Sequence, residues 1–105
     1  MELPKQERLR TEIRRLANEF LIRESNRLSI ITVTGVDVDR EAERAIISVS
    51  ILPEGKEEAA IDFLKRSRSD FRDYVKEKAR LSRIPFFDFE IDRGEKNRQK
   101  IEGII

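Results

Sequence analysis

The sequence predicts a two-layer α+β sandwich in the order α-β-β-α-kink-α-β, with a three-stranded mixed sheet covered by helices on one face. Three observations carry this. The chain opens on a helical period of apolar residues, Leu9, Ile13, Leu16, Ala17, Phe20 and Leu21. Two β-branched runs then follow each other across a short polar connector, which implies an antiparallel hairpin. A third alternating run comes only after two more helical stretches, so it can lie parallel to one strand of the hairpin.

Residues 5–23 form the first helix, with Pro4 suited to its first turn, where a missing N–H costs nothing. Residues 24–27 break the period. The first strand is 30–38, interrupted by Gly35, which marks a bulge or bend. The polar connector 39–43 leads to a second strand, 44–52, whose two faces carry Ile47, Val49 and Ile51 or Ile46, Ser48 and Ser50. Pro53, Glu54 and Gly55 end it. A second helix covers 56–66, with Ala60, Phe63 and Leu64 inward. A third covers 70–80, with Phe71, Tyr74, Val75 and Ala79 on its apolar side. The third strand, 86–92, places Phe87, Phe89 and Ile91 on one face and Asp88, Glu90 and Asp92 on a wet one. Ile101, Ile104 and Ile105 suggest a short final helix, weakened by Gly103. The 105 residues are the size of one domain, 1–105, with 95–105 as its C-terminal tail or short helix.

Composition narrows the function. The chain has no cysteine and no histidine. Disulfides and the usual zinc ligands are therefore absent, as are the commonest general base and the thiol nucleophile. A non-catalytic protein without a metal, cofactor or small-molecule substrate is expected. No run of about 18 apolar residues is present, and the charged N-terminus has no signal-peptide core behind it, so a cytoplasmic location without a membrane contact is expected.

The net charge of +1 hides a strong asymmetry. Residues 37–64 carry eight acidic and three basic side chains, whereas 65–83 carry eight basic and three acidic. Local charge, rather than net charge, decides whether a surface attracts phosphate.

The order of elements is the type II KH arrangement of small RNA-binding domains. The stretches RLSIITVTGVDVDREAERAIISVSIL (27–52), FRDYVKEKARLSRIP (71–85) and FDFEIDRG (87–94) together resemble the ribosome-binding factor A family. The resemblance runs from about residue 8 to the end. It implies a non-catalytic assembly factor that binds the free small (30S) ribosomal subunit and 16S rRNA, including the 5′-terminal helix region. Such a factor supports late subunit maturation and rRNA processing and is linked to growth in the cold. Two departures stand out. Ordinary KH domains carry a G-x-x-G clamp between the paired helices, and the resembled family carries an A-x-G kink there. This chain has Ser67, Arg68 and Ser69, with no glycine. Ser82 also stands where the family usually has arginine. The kink here must come from serine, whose side chain can bond the backbone and bend or cap a helix.

The candidate RNA-binding residues are Lys65, Arg66, Arg68, Arg72, Lys76, Lys78, Arg80 and Arg83, because cations that neutralise phosphates release counterions. A solvated helix face with ion pairs four residues apart is the bland reading of the same run. Arg8, Arg10, Arg14 and Arg15 either extend that face or pair with Glu12 and Glu19. Asp88, Glu90 and Asp92 read as a solvated strand face. Phe71, Phe87 and Phe89 fit the core, while Phe86 falls on the opposite face. The alternative function is a KH-like protein-interaction module whose basic face meets an acidic partner. A monomer is expected in either case.

Overall fold

The computed structural model describes residues 5–24, 29–79, 81 and 83–93. Pro4, the helix break at 25–27, Arg80, Ser82, Gly94 and the final helix expected near Ile101, Ile104 and Ile105 lie outside them. The described elements are α1 (Lys5–Glu24), β1 (Ile30–Val38), β2 (Arg44–Leu52), a 3-10 turn (Glu54–Lys56), α2 (Glu57–Arg66), α3 (Arg68–Lys78) and β3 (Phe86–Ile91).

The strands lie in the order β1-β2-β3. β1 and β2 pair antiparallel from Ile30↔Leu52 to Val38↔Ala45, with the register shift of a bulge between Val33 and Gly35. β2 and β3 pair in parallel, Arg44 opposite Phe86 and Val49 opposite Ile91. The α2–α3 crossover makes the parallel pairing possible, since a tight turn cannot reverse the chain twice. All three helices cover one face. That face is apolar because of the alternation in each strand: Val33, Ala45, Ile47, Val49, Ile51, Phe87 and Phe89 are buried there. From the helices come Ile13, Leu16, Ala17, Phe20, Leu21, Ala60, Leu64, Phe71 and Val75. Phe71 is the hub, with its ring centroid 4.8 Å from Phe87, 5.3 Å from Phe20 and 5.9 Å from Phe89.

The β1–β2 connector is held by its own residues. The Asp39 carboxylate accepts from the Glu43 and Arg44 N–H groups at 2.8 and 3.1 Å, so the acid replaces a backbone partner in the turn. The Gln6 side-chain amide donates to the Asp39 and Arg40 carbonyls, tying the start of α1 to this turn. Ala42 adopts a φ of 56°, the left-handed region that disfavours a Cβ. Ala42→Gly is therefore expected to stabilise the fold by about 0.5–1 kcal/mol, read as a higher urea midpoint. Ala42→Val should lower that midpoint.

The helix pair breaks at one residue, Ser67, with φ −89° and ψ 1°. Its hydroxyl donates to the Phe63 carbonyl at 2.8 Å, and its N–H points to the Phe63 and Leu64 carbonyls at 3.0 Å. The Ser67 carbonyl then accepts from the Phe71 N–H at 2.9 Å and starts α3. This geometry explains the missing glycine. The φ of Ser67 is open to any L-residue, so the break needs no left-handed position. The serine sits buried at 6% exposure, and its hydroxyl finds its partner one turn back.

Candidate RNA-binding face

The break sets the end of α2 and the start of α3 against the beginning of β3. Lys65, Arg66, Arg68, Ser69 and Arg72 line a groove of about 330 Å³ whose other wall is Phe86 and Phe87. Lys65, Arg68, Arg72 and Lys76 recur at three- and four-residue spacing, so a basic row runs from the last turn of α2 along one side of α3. Arg66, Arg72 and Lys76 are exposed.

Asp88 departs from the solvated carboxylate that strand alternation predicts. Its side chain is only 13% exposed, and three cations converge on it. Lys65 Nζ lies 3.0 Å from Oδ1, Arg68 Nη1 3.4 Å from Oδ1, and Arg44 Nη2 3.7 Å from Oδ2. The reason is tertiary. The kink lowers Lys65 and Arg68 onto β3, and the parallel register brings Arg44 alongside. Burial alone pushes the Asp88 carboxyl up. The Lys65 hydrogen bond, the Phe89 N–H at 2.9 Å and the charges of Lys65 and Arg68 outweigh it and hold the group below its ordinary value. Asp88 thus fixes the direction of two groove cations while leaving Arg66 and Arg72 to solvent.

A lowered folded-state pKa stabilises the protein above the unfolded-state value near 3.9, and that contribution disappears as pH falls through the folded value. Asp88→Asn is expected to cost about 1 kcal/mol at neutral pH, because the cations are half-exposed. In denaturation series the gap between the two proteins should close below about pH 4. A gap independent of pH would mean that the carboxylate charge is not what Asp88 contributes.

The eight-residue basic set does not share one surface. Asp70, Asp73 and Glu77 form an exposed acidic row on α3, because positions three and four apart fall on one line. Beyond that row, Lys78 lies 5.9 Å from the Tyr74 ring centroid and Arg23 of α1 lies 5.5 Å from it. Arg83 faces another cleft, of about 660 Å³, with Lys5, Arg8, Leu9, Glu12, Glu41, Ala42 and Leu81. Arg80 is outside the described residues.

The α1 arginines divide similarly. Arg15 bonds Glu12 and Glu19, and Arg10 lies 3.8 Å from Glu7. Arg14 reaches the Val33 carbonyl of β1 at 3.4 Å. Arg8 shares the cleft of Arg83, whereas Arg10 and Arg14 line a separate one of about 370 Å³ with Glu7, Thr11, Gly35 and Val36. Arg44 and Arg23 escaped the sequence reading. Arg44 lies in an acidic segment, and only the strand register shows its neighbours.

Among the described residues, no helix is long and apolar enough to cross a membrane, and no group of acidic residues could hold a metal ion. Residues 5–105 match the family described as ribosome-binding factor A. The chain belongs to the ribosome-binding factor A family. It is 29% identical over 102 residues to a ribosome-binding factor A of Lacticaseibacillus casei, covering 93% of this chain and 87% of that protein. The relative from Lacticaseibacillus paracasei matches equally. The crystal structure of ribosome-binding factor A from Thermus thermophilus superposes with a TM-score of 0.71 at 26% identity, over 83% of this chain and 94% of that one. The solution structure of a Thermotoga maritima protein, a candidate ribosome binding factor A, gives the same TM-score and identity over 90% and 93%. The fold is thus the KH-like α+β arrangement of this family, with its kink built from Ser67.

Proposed function

We propose that this protein binds the free small (30S) ribosomal subunit through 16S rRNA, in the region of the 5′-terminal helix, and assists late maturation and rRNA processing. The observation that carries the reading is the basic groove at the Ser67 break, with Arg66 and Arg72 turned to solvent and a basic row leading on to Lys76. Family membership supports the ribosome as the target. Phosphates neutralised by such a row release counterions, so affinity is electrostatic and salt-dependent. The protein acts in the cytoplasm as a monomer, without catalysis or a cofactor, and supports growth in the cold. It favours one rRNA conformation by binding it more tightly than others. The acidic segment 37–64 repels rRNA on its side and so orients the complex.

Co-sedimentation with free 30S subunits across a salt series tests this. The logarithm of the binding constant should fall linearly with that of salt concentration. Absence of binding at low salt would remove the proposal. A protein-free 16S rRNA fragment separates RNA recognition from an acidic protein partner, because only the former binds the naked fragment.

A further inference from the structure

We propose that Phe86 is a stacking platform for an unpaired nucleobase, with the cations of the adjoining groove engaging the phosphates on either side. This rests on the RNA-binding reading and deepens it by naming the RNA class: single-stranded or bulged nucleotides rather than a continuous duplex.

Phe86 is 54% exposed although it begins a strand whose other phenylalanines, Phe87 and Phe89, are at the centre of the core. Single exposed apolar residues are ordinary. Ile22, Ile30 and Leu52 are exposed as well, but none of them lines the basic groove, whereas Phe86 does. The ring is carried on rigid backbone. Its residue pairs with Arg44 in the parallel register, and its N–H donates to the Glu43 carbonyl at 2.8 Å.

The Arg68 guanidinium lies 5.7 Å from the ring centroid, within the range of a cation–π contact. That guanidinium is fixed from behind, by Asp88 at 3.4 Å and by the Lys65 carbonyl, which accepts from Nε at 3.0 Å. An aromatic face and a planar guanidinium held together are the two surfaces on which RNA bases stack. Arg66 and Arg72 line the same groove and are exposed. A purely phosphate-binding groove has no use for the ring. A paired base cannot reach it, because duplex bases are stacked inside the helix and the A-form major groove is too narrow for side chains. Stacking on Phe86 tolerates any base, since every base has a π-face.

The chain contains no tryptophan, so Phe86→Trp installs a single reporter at the platform. The probes are a short unstructured oligouridine RNA and a fully paired, blunt-ended two-strand RNA duplex, both measured at low salt. The Trp variant should bind oligouridine at least as tightly as the parent protein, with its emission quenched on binding. Phe86→Ala should bind oligouridine roughly tenfold or more weakly. Its affinity for the duplex and its salt dependence should be unchanged, because no phosphate contact is lost. The ring is exposed, so thermal melts should show both variants folded.

If Phe86→Ala binds oligouridine like the parent, or Phe86→Trp emission is indifferent to bound RNA, the platform is overturned while the phosphate-binding reading stands. If the parent binds neither RNA, both fall together. If Phe86→Ala weakens binding to 30S subunits but not to oligouridine, the ring contacts a ribosomal protein and the platform is again overturned.

Discussion

Replacing Phe71 with alanine is expected to cost about 3–5 kcal/mol of folding stability. The ring is fully buried and stands between the layers, edge-on to Phe87 and tilted against Phe20 and Phe89. Its removal loses the transfer energy of a large side chain and leaves a cavity that two helices and a strand cannot easily close. It also forfeits aromatic contacts worth about 0.5–1.5 kcal/mol beyond burial. A domain of this size holds roughly 5–15 kcal/mol in total, so one ring accounts for much of it. Urea unfolding at neutral pH checks the value. Phe71→Leu should lose less, because it keeps most of the volume. A midpoint within error of the parent for Phe71→Ala would show that the aromatic cluster does not hold the helices to the sheet.

The second large effect concerns binding. Arg66, Arg72 and Lys76 are exposed on the kink side of the helices. Changing all three to glutamate should leave the fold intact and reduce 30S affinity on the order of a hundredfold or more at low salt. The slope of log affinity against log salt should become shallower by about 3, close to one per phosphate contact removed. The control is Lys56→Glu, on the turn that precedes α2 and about 15 Å of helix away from the break. If Lys56→Glu weakens binding as much per charge, overall charge rather than this face governs association. Lys65 and Arg68 are left out of the set because a glutamate at either would also repel Asp88.

These effects differ in how far they could be read in advance. Phe71, Phe87 and Phe89 were legible as core from period alone, since a residue on the apolar side of both its own element and the sheet has nowhere else to go. The break at Ser67 was legible because a basic, serine-containing stretch interrupts two amphipathic periods. Its mechanism was not. The ordinary φ of Ser67 and the hydroxyl bond to Phe63 emerge only once the backbone is placed. Asp88 was read as wet because alternation assigns a face and says nothing about what the next element lays across it.

The basic run shows the same boundary. Its charge and its spacing along two helices follow from the chain, because both are local properties. Helical geometry then divides the run, with Arg72 and Lys76 on the groove side, an acidic row between, and Lys78 beside Tyr74. Local patterning thus sufficed for the element types, the hairpin, the core and the identity of the family, since each depends on residues near one another in sequence or on short motifs in order. Which cations converge on Asp88, that Arg44 is among them, and that Phe86 faces a basic groove depended on residues far apart in sequence, such as Arg44 and Asp88 or Lys65 and Phe86. Those neighbours are set by the α2–α3 kink and by the parallel β2–β3 register. Both are outcomes of packing the whole core, and no single stretch of the chain encodes them.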